Sequence, residues 1–193
     1  MTTETPQANN NGKRNYDRTS YILVVDDDNT LLKFFKIHLN KFFSRVIVVK
    51  NAKEAIDTLR EKEIDLVISD IRMPRMDGLQ LMKRVRKHDP AIPMLLISGA
   101  LLTEEQSKGA EDDADGYLRK PFSVDELHAF IDMGMGLREK YKRLAELLAD
   151  KKTIRDLLRG KAKVEKLVSE PGHVAEATEI LESLKKPAAS PAA

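Results

Sequence analysis

The stretch from Ile64 to Gly78, IDLVISDIRMPRMDG, decides the fold. Ile64 and Leu66 to Ile68 form a short apolar, β-branched run, the pattern of a buried strand. Asp70 ends that run ahead of a turn-rich segment holding Pro74, Asp77 and Gly78, where a helix can begin. One carboxylate is thereby left at a strand's carboxyl end. In open α/β sheets the crevice beyond such ends is where ligands bind, so the acid calls for partners from neighbouring strands.

Three other segments supply them. Upstream, YILVVDDD (Tyr21 to Asp28) ends an apolar strand in acid and offers Asp26 and Asp27. Downstream, PMLLIS ends in Ser98, and DGYLRKPF carries Lys120 and Pro121 just past a short strand. Helical patterns separate these strands. Asp28 or Asn29 can cap a helix with Leu32, Phe35, Leu39 and Phe42 on one side, and Asn51 with Glu54 starts another after the strand Val46 to Lys50. Asp77-Gly78 opens a third, and Ser123 with Glu126 caps the helix that follows the last strand. A weaker helix, with Thr103 and Gln106 as its cap, is expected after the fourth strand, where GAEDDADG dilutes the apolar pattern. Five alternations of strand and helix predict a parallel, doubly wound sheet with right-handed crossovers and helices on both faces.

This set of residues, in this order, resembles the receiver domain of bacterial two-component response regulators. The resemblance implies the flavodoxin-like strand order. It also implies that Asp70 is the phosphoacceptor, that Asp26, Asp27, Asp70 and the Arg72 carbonyl hold Mg²⁺, and that Ser98 and Lys120 contact the phosphoryl group. Tyr117 corresponds to the aromatic switch residue, and Lys120-Pro121 to a cis peptide, although proline at a strand end is common without any such role. One departure is Gly99, where the family often has alanine. The donor of the phosphoryl group would be a sensor histidine kinase or a phosphotransfer protein. His38, His88, His128 and His173 lack metal-ligand spacing and are read as surface residues.

The chemistry agrees with that resemblance. Clustered carboxylates repel unless a cation or proton intervenes, and Mg²⁺ accepts a few oxygen ligands while keeping several waters. Phosphoryl transfer asks mainly for positioning and charge stabilisation. Aspartates are also ordinary caps and turn formers, and Asp28, Asp77 and Asp89 are read that way.

Composition narrows the alternatives. The 193 residues are 41% hydrophobic and 33% charged, with net charge +2 and no cysteine, which removes disulfides and thiolate metal sites. No apolar run reaches the ~20 residues of a membrane helix, and the first twenty residues contain no signal-peptide pattern, so a cytoplasmic setting is expected. Residues 1–19 read as a disordered leader, 20–137 as the receiver, 138–186 as a helical extension and 187–193 as a disordered tail.

The extension is basic: from Arg138 to Lys166 eleven Lys or Arg stand against five Asp or Glu. Such a helix could attract nucleic acid, anionic lipid or an acidic protein surface, but a solvated helix face is the stronger reading. Its stripe of Leu137, Tyr141, Leu144 and Leu148 needs covering, which points to a homodimeric helical pair or, second, to folding back on the receiver. A bend is expected at Gly134 and Gly136 and an interruption near Lys151. DNA binding is not expected, for no helix-turn-helix pattern stands out. The leading function is a Mg²⁺-dependent phosphorylation switch, not an enzyme acting on other substrates. The alternatives are a phosphorylation-independent scaffold or dimerisation module and, further off, a Mg²⁺-dependent phosphohydrolase.

Overall fold

The computed structural model describes residues 18–99, 114–160, 163–164 and 167–185. Five strands, β1 (Tyr21–Val25), β2 (Arg45–Val49), β3 (Leu66–Asp70), β4 (Met94–Ser98) and β5 (Gly116–Arg119), form one parallel sheet in the order β2-β1-β3-β4-β5. β3 and β4 are buried throughout, which is why they read as unbroken apolar runs rather than as alternating ones. The helices are α1 (Asn29–Leu39), α2 (Ala52–Glu61), α3 (Gly78–His88), α4 (Val124–Leu147), α5 (Ile154–Leu158) and α6 (Val174–Lys185). The helix expected around Thr103 and Gln106 lies outside the described residues, as do most of the leader and the tail after Lys185.

The starts of α1 to α4 were written locally. The Asp28 side chain accepts from the Thr30 and Leu31 amides, and Asn51 accepts from Glu54, whose own carboxylate takes the Lys50 amide. Reciprocal capping boxes join Asp77 to Gln80 and Ser123 to Glu126. These bonds satisfy amide donors that the first helical turn leaves unpaired.

Two apolar layers sandwich the sheet. On one face Phe35, Leu39 and Phe43 meet Ile22, Leu66, Leu95, Leu127 and Ile131, so α1 and α4 share that side. On the other, Ala55, Leu59, Leu81, Met82 and Val85 from α2 and α3 cover Leu23, Val67 and Leu96. α4 runs unbroken through Gly134 and Gly136, where a bend was expected. The reason is packing: a Cβ at Gly134 would come within 2.8 Å of Leu66 and Leu95 side-chain atoms. Gly134 lets the helix lie close to the sheet, and tertiary contact outweighs its low propensity.

The extension follows the second expectation, folding back, rather than the first, and the interruption falls near Lys151 as expected. α4 ends at Leu147, a 3-10 turn follows at Lys151–Thr153, and the chain then turns back on itself. Leu148 and Val168 form an antiparallel bridge, backed by Ala149 N–H to Leu167 and Ser169 N–H to Leu147. Tyr141, Leu144, Leu147 and Leu148 are buried among Ile154, Leu157, Ala177 and Leu181, with Ala91 of the α3–β4 loop. The stripe read as a dimer seam is thus covered by the chain's own last helices, and self-pairing loses the exposed surface it required. The boundary drawn at residue 137 falls inside α4.

This C-terminal unit docks at the amino ends of the strands through two carboxylates. Asp65, just before β3, accepts from the Tyr21 amide, Arg138 Nε (3.3 Å) and Lys142 Nζ (2.9 Å). Asp115, just before β5, accepts from the Met94 amide, Tyr141, Arg86 and Arg155. Arg138 also donates to the Ala91 carbonyl, and Arg155 to that of Pro90.

Candidate functional site: an acid and lysine cluster at the carboxyl edge of the sheet

The opposite edge collects the predicted site residues. Asp70 is the last residue of β3, Ser98 the last of β4, and Asp26 follows β1 directly. Parallel register sets Asp70 beside Ile97, and Ser98 beside Arg119. The Lys120 amide donates to the Ser98 carbonyl at 2.8 Å, and the Lys120-Pro121 peptide is cis. Asp26, Asp70 and Ser98 are all buried.

Lys120 joins the two buried acids. Its Nζ lies 2.6 Å from Asp70 Oδ1 and 2.9 Å from Asp26 Oδ2. The second oxygen of each acid is held by backbone: Asp70 Oδ2 accepts from the Arg72 amide at 2.6 Å, and Asp26 Oδ1 from the Asp28 amide at 2.8 Å. Burial raises the Asp26 pKa, against the Asp28 amide and Lys120, and the Asp70 charge adds to the rise. Burial alone would lower the Lys120 ammonium, but its hydrogen bonds to Asp70 and Asp26 outweigh that and raise it. One ammonium therefore serves two buried carboxylates, leaving an excess of negative charge.

The loop after β3 depends on Gly78. A Cβ there would stand 2.3 Å from the Asp70 carbonyl oxygen, so only glycine lets the start of α3 pass so close behind Asp70. At Gly99, by contrast, a Cβ would meet Lys120 at an ordinary 3.7 Å. The alanine frequent in the family would fit.

Other predicted residues lie apart from this cluster. Asp27 is exposed beside Asp26, and Tyr117 is 41% exposed on β5. Among the described residues, no group of three or more carboxylate or imidazole side chains is gathered closely enough to hold a metal. The donor set still suits a hard cation: buried carboxylate oxygens with more negative charge than one lysine neutralises.

Two features escaped the sequence reading. His38 and His128, expected to be separate surface residues, meet with their Nε2 atoms 2.7 Å apart. Asp115, in the stretch GAEDDADG that dilutes the weak fourth helical pattern, has a buried side chain and is the hub of the C-terminal docking. Neither has a local signal, because each depends on partners 21 or more residues away.

Strand order and the acid–lysine cluster at the carboxyl ends define a doubly wound α/β protein with its site at the switch point. Within that class, the chain belongs to the response regulator receiver domain family, whose model matches residues 22–132. It is 30% identical over 115 residues to transcriptional regulatory protein GlrR of Escherichia coli K12, covering 60% of this chain and 26% of that protein. To response regulator MprA of Mycolicibacterium vanbaalenii it is 33% identical over 108 residues, covering 56% of this chain and 47% of that protein. The chain thus spans between a quarter and a half of these curated relatives.

Solved structures agree on the fold. A CheY-like response regulator receiver domain protein from Methanospirillum hungatei JF-1 superposes with TM-score 0.59 at 27% identity, covering 63% of this chain and 98% of that one. The receiver domain of an HD domain-containing protein from Pseudomonas fluorescens Pf-5 gives 0.60 at 26% identity, covering 63% and 98%. Some 98% of each receiver is matched by under two thirds of this chain, so the C-terminal helices add to the common fold.

Proposed function

We propose that this protein is a two-component response regulator whose Asp70 accepts a phosphoryl group from a sensor histidine kinase or phosphotransfer protein. The observation that carries this reading is the Lys120 ammonium 2.6 Å from one Asp70 oxygen, with the Arg72 amide holding the other. The attacking oxygen is fixed at the crevice. As its bond to phosphorus forms, the donor's phosphorus–nitrogen bond breaks and the departing imidazole keeps that electron pair. Lys120 and the Ser98 hydroxyl then stabilise charge on the phosphoryl oxygens.

Asp26, Asp27, Asp70 and the Arg72 carbonyl would hold Mg²⁺, which when bound supplies further positive charge to those oxygens. Tyr117, exposed at rest, is the residue through which the phosphorylated state changes the neighbouring surface. Signalling rather than turnover of other substrates follows from this role, and pairing with a kinase's cytoplasmic phosphodonor sets it in the cytoplasm. Among the described residues, no helix is long and apolar enough to cross a membrane. Relatives named as transcriptional regulatory proteins remove the ground for expecting DNA contact to be absent, and that expectation is withdrawn.

Intact-mass measurement after incubation with acetyl phosphate and Mg²⁺ tests the proposal. Wild type should gain one phosphoryl group and Asp70→Asn none. Equal labelling of both would overturn it.

A further inference from the structure

α1 and α4 lie side by side on one face of the sheet, and both lead away from the acid site: α1 follows Asp26, and α4 follows Lys120-Pro121. Between them His38 and His128 meet. Their Nε2 atoms are 2.7 Å apart while the ring centroids are 4.8 Å apart. The difference is about what the two rings themselves occupy, so the nitrogen tips point at one another. Phe34 stacks on His38 at 5.5 Å and Phe42 meets His128 edge-on at 5.0 Å, which fixes both rings.

Such a head-on pair holds a proton and not a metal. An ion on the line between the nitrogens would need them about 4 Å apart at ordinary metal–imidazole distances of ~2.0–2.1 Å. One N–H donating to one lone pair fits the observed separation. We propose that the His38–His128 pair is a proton-sensitive clasp between α1 and α4, closed by one bridging proton and opened when acidification puts a proton on both facing nitrogens.

Charge around the pair assigns its two roles. Lys41 lies one turn beyond His38, whereas Asp125 and Asp132 lie one turn to either side of His128. His128, with no cation as near in its own helix, is assigned as the donor. His38 is the acceptor, and burial with the Lys41 charge lowers its pKa. The neutral ring is thus favoured in the folded state. Its contribution to stability is present above the ordinary histidine value of about 6.5 and is lost as pH falls through the lower folded value. Opening the clasp loosens the two helices that follow Asp26 and Lys120-Pro121 in the chain, which ties the precision of that edge to pH.

The test uses the full chain. Imidazole proton–nitrogen correlation spectra of the wild type at pH 7.5 should show His128 protonated on Nε2 and His38 protonated on Nδ1. Between pH 7.5 and 5.5 the melting temperature of the wild type should fall about 2–4 °C further than that of His38→Gln, the scale of a lost buried contact in a chain of this size. Two rings in the same tautomer would overturn the inference. So would equal melting losses in wild type, His38→Gln and His128→Gln. Should either variant fail to fold, the wild-type spectra decide alone.

Discussion

Arg155 donates from Nη1 to Asp115 Oδ1 at 2.8 Å, across forty residues, and so fastens the C-terminal helices to the amino end of β5. Asp115 also receives Arg86, the Tyr141 hydroxyl at 2.6 Å and the Met94 amide at 2.7 Å. Arg155 lies over the Tyr141 ring, 4.8 Å from its centroid. The extension is therefore joined to the receiver by Asp115, by the Asp65 contacts to Arg138 and Lys142, and by an apolar layer.

Removing Arg155 should loosen that junction without unfolding the sheet. Arg86 still neutralises Asp115, so Arg155→Ala should cost about 2–3 kcal/mol, below the ~3–5 expected when a buried partner is left alone. Tyr141→Phe, which removes one hydrogen bond to the same acid, should cost about 1–2 kcal/mol. Urea unfolding midpoints rank the two. A smaller loss for Arg155→Ala than for Tyr141→Phe would place the anchor elsewhere.

The same acid makes a pH prediction. Burial would raise the Asp115 pKa, but Arg86 and Arg155 with the Tyr141 hydrogen bond hold it at about 2, against an ordinary 3.8. The folded state prefers the carboxylate, so this stability is present above pH 3.8 and is lost as pH falls through about 2. It amounts to roughly 2 kcal/mol. Unfolding free energy measured from pH 4.5 downward should decline through this window in wild type. Asp115→Asn should start lower, with two arginines deprived of their shared carboxylate, and decline less. A steeper decline in the variant would contradict the assignment.

Gly78 offers a test of how Asp70 is positioned. Since a Cβ would stand 2.3 Å from the Asp70 carbonyl, Gly78→Ala must displace either the end of β3 or the start of α3. It should destabilise by about 1–3 kcal/mol, the usual scale of overpacking, and slow acetyl-phosphate labelling at least tenfold. Labelling at the wild-type rate would show that the close approach is unimportant to the site.

Lys120 separates charge balance from transfer. Its ammonium lies between Asp26 and Asp70, so Lys120→Ala leaves two buried acids without their cation. That variant should bind Mg²⁺ more tightly than wild type and accept phosphoryl groups more slowly, because the oxygens lose a stabilising charge. Magnesium titration with parallel labelling kinetics checks both directions. Weaker binding with unchanged kinetics would remove Lys120 from the site.

The sheet was legible because its signals are local. Buried parallel strands read as apolar runs, and Asp28, Asn51, Asp77 and Ser123 each announce a helix with a side chain that caps it. The acid edge was legible once Asp26, Asp70 and Lys120 stood at strand ends that the topology brings together. Periodicity also marked Tyr141, Leu144 and Leu148 as an apolar face, but it cannot say what covers that face. A second copy and the chain's own α5 and α6 satisfy the same stripe, and only tertiary packing chooses. Likewise, Asp115 drew no reading of its own, and His38 and His128 looked like isolated surface rings. Their chemistry exists only when distant segments meet.

The central claim is that Asp70, rather than a neighbouring acid, takes the phosphoryl group. Borohydride reduces an acyl phosphate to an alcohol at the residue that carried it, and peptide sequencing by mass spectrometry then locates that residue. After treatment with acetyl phosphate and Mg²⁺, the account predicts the reduced residue at position 70 alone. Reduction at Asp26 or Asp27 with Asp70 unaltered would contradict it.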